Sequence, residues 1–70
     1  MDEPLVSVIM PAYNAQNYIK QAIESVQSQT YKNWELLITD DRSIDNTQEI
    51  VEQYVAKDPR IKLFINESNS

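Results

Sequence analysis

The run Leu36, Leu37, Ile38, Thr39, followed at once by Asp40 and Asp41, constrains this chain more than any other stretch. Three consecutive apolar residues suit a parallel-sheet strand buried on both faces, because successive side chains on a strand point to opposite sides. Two carboxylates have no place inside such a strand. They mark its carboxyl end, where open α/β sheets bind their ligands. Arg42, Ser43 and Ile44 then turn the chain, and Asp45 with Gln48 three residues on predicts an N-cap and N3 capping pair at the start of a helix.

The segments on either side follow the same alternation. Val6, Val8, Ile9 and Met10 read as a first strand, which Pro11 is expected to end because a central strand cannot use a residue without an N–H. Pro11, Ala12, Tyr13 and Asn14 form a loop. Ala15, Tyr18, Ile19, Ala22, Ile23 and Val26 recur at steps of three and four, the buried stripe of a helix that Asn14 or Asn17 would cap. A polar connection from Gln27 to Asn33, interrupted by Tyr31, leads to the strand at Trp34. A second helix is predicted from about Asn46 to Lys57, with Ile50, Val51, Tyr54 and Val55 inward, Lys57 suiting its C-terminal dipole and Pro59 stopping it. Ile61, Leu63, Phe64 and Ile65 form a third strand, and Asn66 to Ser70 is polar and uninformative.

The order βαβαβ predicts an α/β fold with a parallel, Rossmann-like sheet and right-handed crossovers, the half-unit that binds mononucleotides. With strands in the simple order, that handedness puts both helices on one face, yet the strands are apolar on both. The expectation is a single partial domain over residues 1–70, the front portion of a longer one. Its second face would be covered by more of the same polypeptide or by another chain in an oligomer.

Composition removes several chemistries. The 70 residues include no Cys, His or Gly. That excludes a zinc site of the usual ligands, a thiol nucleophile, a disulfide and an imidazole-dependent triad, so any metal must be oxygen-bound. The first loop reads P-A-Y-N-A-Q, not G-x-G-x-x-G, and a dinucleotide dehydrogenase is excluded with it. A formal charge of -5 repels nucleic acid. The acids Asp40, Asp41, Asp45 and Glu49 instead favour a divalent cation or a group bearing N–H donors, although Asp45 and Glu49 also fit as acids that complement a helix start. Asp41, Ser43, Asp45, Glu49 and Glu52 match five places of a calcium loop, but Asn46 replaces its glycine and the preceding stretch is strand-like, so calcium binding is not expected. The N-terminus has no basic n-region, and its apolar run from Leu5 to Met10 is too short for a signal or a span. A cytoplasmic protein is expected, or one peripheral to the cytoplasmic membrane face. The Asn66, Glu67, Ser68 sequon is then accidental.

The first loop and the acidic corner both lie at carboxyl ends of neighbouring strands and so meet in space. Pro11 and Tyr13 would offer a flat wall to a nucleobase while Asp41 accepts an imide N–H of the kind uracil and thymine carry. The competing readings are loop packing for Tyr13 and loop solvation for the acidic pair.

The segments VSVIMPAYNAQNYIKQAIESVQSQTYKNWELLITDD and RSIDNTQEIVEQY closely resemble the opening of glycosyltransferase family 2, enzymes of the GT-A fold. The resemblance runs from Val6 to about Asn66. It implies a nucleotide-sugar donor, a divalent metal (Mg2+ or Mn2+) bound by residues outside this chain, and transfer with inversion to an acceptor hydroxyl on a glycan or lipid-linked sugar. Carried onto this sequence, Pro11, Ala12 and Tyr13 would line the nucleotide pocket, Asp41 would accept the base N–H and Asp40 would support the corner. The family's D-x-D motif and catalytic aspartate are expected downstream, so no residue here is catalytic and the 70 residues alone would be inactive. Arg42 and Ile44 depart from the family pattern, which often has glycine or another small residue at the first and threonine at the second. The alternative is a non-catalytic nucleotide-binding or oligomerising assembly module.

Overall fold

The computed structural model describes residues 4–66. Strands β1 (Val6–Ala12), β2 (Trp34–Asp40) and β3 (Ile61–Ile65) alternate with helices α1 (Ile19–Gln27) and α2 (Thr47–Lys57). The strands form one parallel sheet in the order β1-β2-β3, the βαβαβ arrangement that alternating short strands and helices favour.

One face of the sheet carries the core. Along β2, Trp34, Leu36, Ile38 and Asp40 are buried and the residues between them only partly so. Ile19, Ile23 and Val26 of α1, Val51 of α2 and Ile61 of β3 close over Leu36 and Ile38. Ile19, Ile23 and Val26 stand at steps of four and three, the spacing that lays one helical stripe against a sheet. Each such side chain taken fully out of water stabilises by about 1.5–3 kcal/mol. The tyrosine hydroxyl of Tyr54 on α2 donates to Glu24 on α1 at 2.8 Å, so the helices lie side by side on this face.

The opposite face is not covered by any described element. Ile9 is 61% exposed and Phe64 52% exposed, and they flank a half-buried Leu37 and Thr39 in the register of the sheet. The expectation of burial on both sides of β2 is therefore met on one side only by the described residues.

Three local expectations are corrected. Pro11 does not end β1, which continues through Ala12 in register with Asp40. Val6 donates to Asn33 and Ala12 accepts from Asp41, each at 3.0 Å. The even-numbered residues of β1 therefore carry the ladder, and the nitrogen of Pro11 faces away from β2, where a missing N–H costs nothing. Helix α1 begins at Ile19, not Ala15, after a turn in which Tyr18 and Ile19 both donate to the Ala15 carbonyl. Neither Asn14 nor Asn17 caps it, and Tyr18, expected in the buried stripe, is 59% exposed. The capping box at α2 does not form either: Asn46 stands at the N-cap position, Asp45 accepts from the Thr47 N–H at 3.0 Å, and the Gln48 side chain turns to Asp40.

The end of α2 follows the sequence. Asp58 is extended (φ -130, ψ 110), as a residue before proline prefers, and the helix stops at Lys57. Among the described residues no helix is long and apolar enough to cross a membrane.

Candidate functional site

Parallel strands end together, so the register Ala12 against Asp40 and Asp40 against Ile65 brings three chain segments to one edge. The ladder runs one residue further on each side: Asp41 donates to the Ala12 carbonyl at 3.0 Å and Asn66 to the Asp40 carbonyl at 2.8 Å. Above this edge lies a cleft of about 410 Å³ lined by Pro11, Ala12, Tyr13, Tyr18, Thr39, Asp41 and Asn66.

The two aspartates take opposite places. Asp40 is fully buried beneath the loop, its carboxylate accepting from the Ser43 N–H (2.8 Å), the Ser43 hydroxyl and the Gln48 side-chain amide (2.6 Å). A buried carboxylate is tolerable only with such donors. Asp41 is exposed, lines the cleft, and its carboxylate bonds to no described residue, which leaves it open to accept from a ligand. Tyr13 presents its ring 57% exposed at the same cleft. Pro11, Ala12, Tyr13 and Asp41 are thus brought together, and Asp40 supports them from below without lining the cleft.

The loops after β1 and β2 are tied to one another. Asn14 donates its N–H to the Ser43 hydroxyl at 2.8 Å and accepts the Ile44 N–H on its side-chain oxygen at 3.0 Å. The Thr47 hydroxyl and the Asp45 carboxylate accept from the N–H groups of Ala15 (2.7 Å) and Gln16 (3.2 Å) in the turn that precedes α1. The Gln16 side chain in turn accepts the Asn46 N–H at 3.1 Å. Burial pushes the Asp45 carboxyl up, but the Thr47 hydroxyl and the Thr47 and Gln16 N–H groups outweigh it and hold Asp45 below the ordinary carboxylate range. The local capping pair gives way to these ties: Asp45 accepts from the turn before α1 as well as from the first residue of α2.

Asn14 (φ 48) and Arg42 (φ 57) both adopt the left-handed backbone conformation. Asparagine tolerates it; arginine does so at a cost, which gives a physical reason for a small residue or glycine at that position. The Arg42 side chain is exposed and pairs with no described acid. Ile44 is 88% exposed, and it is its backbone N–H that ties the loops together.

Tyr18, Thr39 and Asn66 line the cleft without having been singled out. Tyr18 was disguised by its helical spacing. Asn66 follows β3 as Asp41 follows β2, so the same strand-end rule extended to the third strand would have found it. Glu67 and Ser68 of the sequon lie outside the described residues. Among the described residues no three His, Cys, Asp or Glu side chains gather as a metal site, and the Asp40 oxygens are taken by Ser43 and Gln48, so the described residues offer no ligand set for Mg2+ or Mn2+.

The model of the glycosyl transferase family 2 matches residues 7–70. A relative described as UDP-Glc:alpha-D-GlcNAc-diphosphoundecaprenol beta-1,3-glucosyltransferase WfgD, from Escherichia coli, is 55% identical over 67 residues, covering 96% of this chain and 26% of the relative. The putative teichuronic acid biosynthesis glycosyltransferase TuaG of Bacillus subtilis is 47% identical over 97% of this chain and 27% of its own length. The chain thus spans about a quarter of these relatives. Among solved structures, S. aureus TarS 1-349 in complex with UDP superposes with a TM-score of 0.78 at 30% identity, over 96% of this chain and 20% of that one. The mannosyltransferase PcManGT from Pyrobaculum calidifontis, in complex with GDP-Man and Mn2+, superposes with a TM-score of 0.81 at 25% identity, over 91% and 20% of the two chains.

Proposed function

Because the chain belongs to glycosyl transferase family 2, with the α/β arrangement of the GT-A fold, we propose that the cleft at the carboxyl edge of its sheet is the base-binding half of a nucleotide-sugar donor site. The observation that carries the reading is the meeting of Pro11, Ala12, Tyr13 and an uncommitted Asp41 carboxylate around one cleft. A pyrimidine ring lies along the Pro11 and Tyr13 wall and gives its imide N–H to Asp41, a charge-assisted hydrogen bond. Asp40 holds the Ser43 turn and so the path of the loop on which Asp41 sits. The Asn66 amide adds a donor and an acceptor at the cleft.

The donor is a UDP- or dTDP-sugar. Support comes from the UDP-glucose named for the Escherichia coli relative and from UDP in the TarS complex. The reaction of the whole protein is direct displacement. An acceptor hydroxyl oxygen on a glycan or lipid-linked sugar bonds to the anomeric carbon as the bond to the diphosphate breaks, which inverts that carbon, and the hydroxyl proton passes to a carboxylate outside the described residues. The residues described here bind and orient: base recognition far from the reacting carbon supplies energy that positions the sugar. We take the whole protein to work at the cytoplasmic face of a membrane, a reading that the lipid-linked acceptor named for the Escherichia coli relative supports.

The test is binding of UDP, dTDP and GDP to the intact protein and to Asp41→Ala by calorimetry. Loss of a charge-assisted bond lowers pyrimidine nucleotide affinity by about tenfold or more. Unchanged affinity removes Asp41 from the site, and preferential binding of GDP overturns the pyrimidine assignment.

A further inference from the structure

Apart from Ala15, which is buried in the core, the two loops that frame the cleft have little apolar packing to hold them, since Tyr13 is 57% and Ile44 88% exposed. Their relative placement rests on polar ties. One continuous path runs from the buried Asp40 carboxylate, through the Ser43 hydroxyl, to the Asn14 N–H, and returns from the Asn14 side-chain oxygen to the Ile44 N–H. Asn14 is adjacent to Tyr13, and Ser43 is two residues from Asp41, so this path joins the wall of the cleft to its acceptor.

We propose that Asn14 is a positioning residue for the donor nucleotide, setting the gap between Tyr13 and Asp41 by tying the first loop to the second through both its backbone N–H and its side-chain oxygen. The inference rests on reading the cleft as a base site. The residue type is specified twice. The left-handed backbone (φ 48) admits Gly, Asn and Asp with ease, and the bond to Ile44 requires a short side-chain acceptor, which glycine lacks. Arg42 shares the backbone conformation but carries no such tie, so the geometry alone does not make a position a link.

Asn14→Gly keeps the backbone conformation and removes the acceptor; Asn14→Asp keeps both. In the intact protein, with the tighter of UDP and dTDP as the binding probe and the corresponding sugar donor for kinetics, Asn14→Gly raises Kd and donor KM about tenfold, the equivalent of one lost hydrogen bond. Its kcat at saturating donor stays within about twofold, because the displacement of the base is made good by concentration. Asn14→Asp at physiological salt, where the added charge is partly screened, returns KM to within about threefold. Wild-type affinity in Asn14→Gly overturns the proposal, as does an equal loss in the Gly and Asp variants. Should Asn14→Gly unfold below the assay temperature, Ser43→Ala, which removes the tie from the other loop, carries the same expected rise and is overturned by the same wild-type result. Asp41→Ala separates the two levels: if it leaves nucleotide binding unchanged the base site itself fails, and if it weakens binding while Asn14→Gly does not, only the positioning role is lost.

Discussion

At the amino end of the sheet, Trp34 is buried to 2% exposure under the Arg60 guanidinium, which stacks 3.9 Å from its ring centroid. Arg60 is held in turn by a two-point contact with Asp58, both nitrogen-to-oxygen distances being 3.0 Å, and Asp58 also accepts from Gln27 at the end of α1. Every charge in that cluster has a partner. At the carboxyl end, Tyr13 and Tyr18 are more than half exposed, two backbone positions are left-handed and the Asp41 carboxylate has no protein partner among the described residues. The ends are built from similar residue types, an aromatic ring and an aspartate, and differ in whether the polar groups are committed. A closed end contributes stability, whereas an end with an open acceptor and exposed rings contributes binding, and strain collects where binding is done.

The largest expected effect tests whether the ends are separable. Trp34→Ala removes a fully packed ring and the surface on which Arg60 stacks, and should lower unfolding free energy by about 3–5 kcal/mol in denaturant titrations of the intact protein. Nucleotide affinity of the folded population should stay within about twofold. A parallel loss of affinity would show that the clasp also shapes the cleft and would break the contrast. The indole N–H of Trp34 has no hydrogen-bond partner among the described residues, so Trp34 acts here through its ring faces.

A smaller effect comes from pH. The hydrogen bond from Arg60, reinforced by the Arg60 N–H and Gln27 and opposed by burial, pulls the Asp58 carboxyl down to about 2 from an ordinary 3.8. A carboxyl whose folded value lies below its unfolded one contributes stability that is present above pH 3.8 and is lost as pH falls toward 2. With Arg60 partly in water, that contribution is about 1 kcal/mol. Asp58→Asn should therefore be less stable than wild type at neutral pH, with the gap between the two closing on acid titration between those values. A gap that does not narrow would mean Asp58 acts through packing alone.

Legibility in the sequence divides along the same line. Elements specified by their own composition were readable: the apolar run of β2, the α1 stripe, the stop at Pro59 and the acidic corner at a strand tip. What misled were residues whose role is set by a partner distant in sequence. Pro11 reads as a strand breaker until the register shows its nitrogen on the side away from β2. Asp45 and Gln48 fit a capping box, but Asp45 also takes the Gln16 N–H of the turn before α1, and Gln48 turns to the buried Asp40 carboxylate, which would cost more unpaired than a local cap contributes. Tyr18 has the spacing of a core residue, yet α1 starts one residue later and leaves its ring at the cleft.

The smallest expected effect separates strain from function at the open end itself. Arg42 and Asn14 share a left-handed backbone, but only Asn14 has a side chain that uses it. A left-handed residue with a Cβ costs about 1–2 kcal/mol, and glycine removes that cost while giving back about 0.5–1 kcal/mol in unfolded-state freedom. Arg42→Gly should therefore stabilise the protein by about 0.5–1 kcal/mol and leave nucleotide affinity unchanged, where Asn14→Gly weakens it. Thermal melts and UDP titrations of the two variants side by side decide it. If Arg42→Gly is stabilised but binds UDP more weakly, the exposed guanidinium reaches the diphosphate and the strain at Arg42 is retained for binding. If it is neither stabilised nor weakened, the loop relaxes around arginine without strain, and the open end owes its character to Asp41 and the tyrosines alone.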